Sequence, residues 1–285
     1  MDADHLEELV FTQSDDGVEL DGAVFRPTGG ETKPLAVVWV HGLTGHFNER
    51  YIVAIGRDLA RRGFTVVTGN NRGHHVGVGI GSKDGQRVLG GGWWERCEES
   101  SHDIAAWIAF AVRLGFGSVV LVGHSLGGLK VLVYQAERQD PRVRGLVAAS
   151  PAVHLRQRML GAPDEIRALA EHLVAEGRGQ ELMPWGQLPG GHNASAGTFL
   201  SWLRPELDVA GLDTPNPAVA RIRCPLLAIA GTEREALSAA DLETIRAGAT
   251  AAPRVDTRVF QDADHGYDGH ELEVAEFLAG WIDAL

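Results

Sequence analysis

The run Leu35-Ala36-Val37-Val38-Trp39-Val40 is apolar at every position rather than at every second one. A strand with one wet face alternates, whereas a strand covered on both faces does not. Similar, largely apolar runs recur at 64–67, 119–122, 143–149 and 225–230. Helical patterns separate them. Ile52, Ile55, Leu59 and Ala60 recur at three- and four-residue steps before Gly63. Ser100 and Asp103 open a second helix with apolar residues over 104–114, and 126–139 makes a third. The β-α-β-α-β-α-β order predicts an α/β fold, a mostly parallel sheet with helices on both faces. Ahead of it, 9–12 and 18–25 flank Ser14-Asp15-Asp16-Gly17 and predict an antiparallel hairpin.

The alternation stops at 153–223. That stretch has one clear helix, 164–176, and then Met183, Trp185, Phe199, Trp202 and Leu203 scattered among glycines and prolines. Strands resume at 225–230 and 257–260, and a helix carrying Leu278, Trp281, Ile282 and Leu285 follows. This divides the 285 residues into a core over 1–152 and 224–285, interrupted by a lid insertion over 153–223. A net charge of −12 would repel nucleic acid or an anionic membrane, and no basic run offsets it. Cys97 and Cys224 lie too far apart in pattern for a cysteine zinc site or a disulfide framework. The apolar stretch 104–122 is broken by Arg113 and two glycines, so no membrane span is expected. The acidic start, without a basic or apolar leader, makes a cytoplasmic protein the expectation. The 36 glycines are nearly twice the usual share of roughly 7%. Nine fall between Gly69 and Gly92, in a loop to which the sequence assigns no purpose.

The sharpest chemical pattern is Gly123-His124-Ser125-Leu126-Gly127-Gly128, a G-x-S-x-G placed where a buried strand ends and a helix begins. Such a turn is strained, leaves no room for flanking side chains, and lifts the serine hydroxyl above the sheet edge. The helix N-terminus behind it can stabilise an oxyanion.

These motifs resemble those of α/β-hydrolase fold enzymes, in the serine esterase and lipase-like branch, over nearly the whole chain. His41-Gly42-Leu43 resembles the branch's oxyanion loop. The resemblance implies backbone amides of Leu43 and Leu126 as oxyanion donors, with His41 holding the loop. Asn70-Asn71-Arg72-Gly73-His74 stands where relatives show D-x-R-G-x-G. The resemblance places the catalytic histidine in the loop after the last strand, at His265, with His270 as the fallback. The acid should follow the strand 226–230, but the usual aspartate slot is Arg234, which cannot accept a hydrogen bond. Glu235 is favoured, Glu233 is next, and the absence of any acid stays open.

The expected function is hydrolysis of a carboxylic ester or related acyl bond, with no cofactor and no metal. Thioester cleavage, C–C hydrolysis, acyl transfer and a non-catalytic ligand-binding role are the alternatives. The expected partner is a small ester with an apolar part. Apolar residues of the insertion (Met159, Met183, Trp185, Phe199, Trp202, Leu203) and Trp93 and Trp94 are candidate pocket walls, and a homodimer through the insertion is open. Gly77-Val78-Gly79-Ile80-Gly81 superficially resembles a phosphate loop but lacks the following G-K-S/T. Asp262, Asp264, His265, Asp268 and His270 fit no metal spacing, and the extra acids read as solvated loop charges.

Overall fold

A computed structural model of the chain describes residues 4–30 and 32–285; residues 1–3 of the acidic start lie outside the described residues. The hairpin is β1 (His5–Gln13) and β2 (Glu19–Pro27). Then come β3 (Ala36–Val40), α1 (Arg50–Arg61), β4 (Thr65–Gly69), β5 (Val78–Gly81), β6 (Arg87–Gly90), α2 (Ser100–Arg113), β7 (Val119–His124), α3 (Leu126–Arg138) and β8 (Val143–Ala149). After β8 lie α4 (Leu155–Leu160), α5 (Asp164–Ala175) and α6 (Ala196–Trp202). The chain ends in β9 (Leu226–Ala230), α7 (Ala239–Gly248), β10 (Val255–Val259) and α8 (Glu271–Asp283).

Eight strands form one sheet in the order β1-β2-β4-β3-β7-β8-β9-β10. Every neighbouring pair from β4 to β10 is parallel, while β1–β2 and β2–β4 are antiparallel. The all-apolar runs serve two cores. Val38 and Leu121 face one core with Ile104, Ile108 and Leu129 of α2 and α3. Their neighbours Val37 and Val120 face the other, with Ile55 and Leu59 of α1 and Leu278 of α8. The strand period of two thus sends successive side chains to opposite helical layers. Because β3, β4, β7, β8 and β9 run the same way, the loops holding His41, Asn70, Ser125, Ser150 and Gly231 gather at one sheet edge.

Two expectations change. The glycine-rich stretch is not a simple loop: β5 and β6 pair antiparallel, Val78 opposite Gly90, so 78–81 is one strand of a hairpin. The stretch 153–223 holds three helices rather than one. Its apolar side chains Met159, Phe199 and Trp202 are fully buried.

The glycine-rich stretch is anchored by ion pairs at Arg72 within it and at Glu95 just beyond it. Arg72 spans the buried Asp103 of α2, at 2.8 Å, and Asp16 of the first hairpin turn, at 2.9 Å. Further along, Glu95 takes both carboxylate oxygens to Lys130 Nζ of α3 at 2.7 Å, with neither side chain exposed. A Cβ on Gly73 would sit 1.8 Å from a Glu95 oxygen, so the close approach requires glycine there. Removing one partner of such a pair strands the other's charge in a dry interior. Lys130→Met should therefore destabilise the protein by about 3–5 kcal/mol. The double variant Lys130→Met/Glu95→Leu should lose less than Lys130→Met alone, as read from urea unfolding midpoints.

Candidate active site

Ser125 lies between β7 and α3 with φ 56 and ψ −121, a backbone conformation that non-glycine residues rarely adopt. Its N–H donates to Ala149 O at 2.8 Å, which ties the turn to β8. A Cβ on Gly123 would fall 2.2 Å from Gly127 O, and one on Gly127 2.3 Å from Val40 O. The two glycines therefore let the turn close on itself and on β3.

His265 Nδ1 lies 2.9 Å from Glu235 Oε1. The Glu235 side chain is 1% exposed, and that of His265 is 39% exposed. The other carboxylate oxygen, Oε2, accepts from Ser150 Oγ at 2.5 Å. Ser150 Oγ is also 2.9 Å from the buried Tyr267 hydroxyl. A carboxylate can only accept, so the order of donation is set: Tyr267 to Ser150, Ser150 to Glu235. Oε1 takes a further bond, from the Ala236 N–H at 2.7 Å. Burial by itself would raise the Glu235 pKa, but the bonds from His265 and Ser150 outweigh it and hold the acid down at about 2. Glu233 is exposed, and its backbone bridges to Asp264. Between the two glutamates Arg234 adopts φ 48 and pairs with Asp264 at 3.1 Å. His270 turns to Glu273 instead, at 3.2 Å. Asp264 accepts the N–H groups of Gly266 and Asp268 and so shapes the loop.

A second set of bonds fixes the backbone under His265. His124, the residue before the serine, is buried and places Nε2 2.7 Å from His265 O. A carbonyl accepts, so Nε2 carries the proton and Nδ1 accepts from Tyr51 OH at 2.8 Å. Burial, then the nearby His265, pushes the His124 pKa down to about 4, so the ring stays neutral. Sequence reasoning missed Ser150, Tyr267, His124 and Tyr51. His124 and Tyr267 flank the flagged serine and histidine by one and two positions, and that adjacency was the available signal.

The oxyanion loop lies against the serine: a Cβ on Gly42 would be 2.9 Å from Ser125 Cβ. His41 is fully buried, donates from Nδ1 to Gly42 O at 2.8 Å, and accepts the Asn71 N–H at Nε2, 3.0 Å away. Leu43, Leu126, Ser125 and His265 line one cavity of about 180 Å³, at the small end for ligand sites. No hydrogen bond joins Ser125 Oγ to His265 among the described residues; such contacts commonly tighten only with substrate bound. The insertion's share of the cavity wall is Val153, His154, Leu155, Arg158 and His192. None of the insertion's candidate wall residues lines the cavity: Met159, Met183, Phe199 and Trp202 are buried in the core that the insertion shares with the body, and Trp185 is 75% exposed. Trp93 and Trp94 clasp the insertion rather than line the cavity. Trp93 O accepts from Ser195 N at 2.7 Å, and Trp94 Nε1 donates to Gln180 O at 2.9 Å.

The chain is similar to several known proteins. A phospholipase of Bacillus subtilis, YtpA, is 26% identical over 134 residues. That match spans just under half of each protein, 46% of this chain and 46% of the relative. The structure of Est1E from Butyrivibrio proteoclasticus with ferulic acid bound is 21% identical, with a TM-score of 0.69 over 96% of this chain and 97% of that one. An esterase of Pyrococcus furiosus is 18% identical, with a TM-score of 0.59 over 96% of this chain and 90% of that one. At these identities the structural likenesses establish the fold. The Hydrolase_4 family, described as serine aminopeptidase S33, matches residues 32–206. With more than half of its length inside that match and the sheet order described above, the chain belongs to this family of α/β-hydrolase fold proteins.

Proposed function

We propose that the protein is a serine hydrolase that cleaves a carboxylic ester or related acyl bond through an acyl-enzyme. The observation that carries this reading is the pairing of two features at one cavity: Ser125 on its strained strand-to-helix turn, and His265 held at 2.9 Å by a buried, ionised Glu235. Ser125 Oγ attacks the substrate carbonyl carbon while His265 Nε2 takes the hydroxyl proton. The N–H groups of Leu43 and Leu126 hold the oxyanion, each worth about 3–4 kcal/mol in comparable sites. His265 then protonates the departing alkoxide. Water deacylates the enzyme by the same route in reverse, releasing the acid and restoring Ser125. Glu235 orients the imidazole and stabilises its cation.

Leu43, Leu126, Val153 and Leu155 favour a substrate with an apolar part. Residues 153–223 serve as the lid in this reading. A peptide with a free α-ammonium is disfavoured, because the cavity wall carries an arginine and no carboxylate among the described residues. The Glu235–His265 hydrogen bond supports this reading over the non-catalytic alternative, because Arg234 cannot accept one. No helix among the described residues is long and apolar enough to cross a membrane. A cytoplasmic setting is part of the proposal, in keeping with two unpaired, buried cysteines.

Three outcomes are expected. Across para-nitrophenyl esters of graded chain length, with aminoacyl anilides as the contrast, wild type should turn over esters, and Ser125→Ala should lose on the order of a millionfold in kcat. Glu235→Gln should lose about 10⁴-fold, because a neutral amide can no longer select the imidazole tautomer. The third concerns stability. Glu235 is depressed from 4.5 to about 2 on folding, so its contribution is full above the unfolded value and fades as pH falls through the folded one. The stability gap between wild type and Glu235→Gln should be widest near neutral pH and shrink as the pH drops below 4.5. Denaturant midpoints at a series of pH values read this, and a gap that widens in acid would contradict it.

A further inference from the structure

Basic side chains around the active-site edge are mostly neutralised. Arg72 is held by Asp16 and Asp103, Arg156 pairs with Asp213 and donates to Leu203 O, and Arg234 pairs with Asp264. Lys130 is sealed against Glu95. Arg158 differs. It lines the cavity that holds Ser125 and His265, is open to solvent, and its side chain makes no hydrogen bond or ion pair among the described residues. In a chain of net charge −12, a cation left without an acid beside the reacting serine is unusual, given how many carboxylates were available to pair it.

Arg158 is also held in place. It projects from the short helix α4, and its stem lies across the turn Pro189–Gly191. Gly190 has φ 72, and a Cβ there would come 2.8 Å from Arg158 Cδ, so glycine makes room for the stem. The next residue, His192, lines the same cavity and turns its ring edge to Trp202 at 5.7 Å. Its Nε2 is buried with no hydrogen-bond partner among the described residues, a polar atom left free to bond a group brought to this wall. Burial, then the charge of Arg158, lowers the His192 pKa and keeps the ring neutral. His154, on the same wall, is already engaged by Asp241 at 2.9 Å.

We propose that Arg158, with His192 beside it, forms a carboxylate subsite, so that the preferred substrates are esters carrying a free carboxylate on the group that fills the cavity. This rests on the serine hydrolase reading above and specifies its substrate class. A guanidinium presents paired N–H donors that match a carboxylate's two oxygens, and a neutral imidazole adds one more hydrogen bond. One positive charge balances a monoanion and leaves a phosphate dianion under-compensated. The apolar walls from Leu43, Leu126 and Val153 then span the distance between this anchor and the scissile bond.

Two matched pairs of esters test the subsite. para-Nitrophenyl hexanoate against the mono-para-nitrophenyl ester of adipic acid places the charge on the acyl side. Phenyl acetate against the acetate ester of para-hydroxybenzoic acid places it on the alcohol side. In at least one pair, wild-type kcat/KM should favour the carboxylate. Arg158→Met should cut that preference about 10- to 100-fold, mainly through KM, and Arg158→Lys should restore part of it. No carboxylate preference in either pair, or a preference that survives Arg158→Met, would overturn the subsite.

Calorimetry separates this from failure of the underlying reading. Ser125→Ala should bind adipate or para-hydroxybenzoate, and Ser125→Ala/Arg158→Met should bind it at least about tenfold more weakly. Equal binding overturns the subsite whatever the turnover. Hydrolysis that survives Ser125→Ala overturns the serine reading and leaves the binding result standing.

Discussion

The turn at Ser125 is the constraint around which the site is arranged. A left-handed serine between a buried strand and a helix costs on the order of 1–3 kcal/mol, and the neighbouring backbone holds it there. Ser125 N–H is bonded to β8, and the turn can close against β3 only because Gly123 and Gly127 carry no side chain. The same closeness sets the oxyanion loop against the serine, with Gly42 almost touching Ser125 Cβ. A substitution in this turn would move the proposed nucleophile, the proposed oxyanion donors and the helix N-terminus together.

Around that turn, two hydrogen-bonded chains position the histidine. One runs Tyr267–Ser150–Glu235–His265 and fixes the ring; the other runs Tyr51–His124–His265 and fixes the backbone. In both, acceptor-only groups determine the direction of every proton. A buried carboxylate with donors on both oxygens stays ionised, which is the state that can stabilise an imidazolium. His124 stays neutral for the opposite reason: burial penalises its charge and His265 lies nearby. Glu235 is thus a charge held inside the site, and Arg158 one carried on the cavity wall.

The sheet was readable because a strand buried on both faces must be apolar throughout, as Ala36–Val40 and Leu226–Ala230 are. The β5–β6 hairpin was not. Glycines at 79, 81 and 90 contribute no side chain to a period of two, so its pattern is silent. α4 and α6 are too short to show a helical period. For the acid, the sequence favours Glu235, then Glu233, and leaves its absence open. What separates them is the left-handed backbone of Arg234, which leaves Glu233 in solvent and Glu235 buried. Ser150 and Arg158 acquire their neighbours only through tertiary folding, from residues as distant as Tyr267 and His192, and no local spacing encodes that.

The account stands or falls on whether Ser125 is an activated nucleophile. The most direct measurement is incubation of the folded protein with a fluorophosphonate, followed by peptide mass mapping. An activated serine displaces fluoride and forms a phosphonyl ester, so the account predicts one stoichiometric adduct, located on Ser125. Folded protein that remains unlabelled, or an adduct on another residue, would contradict it.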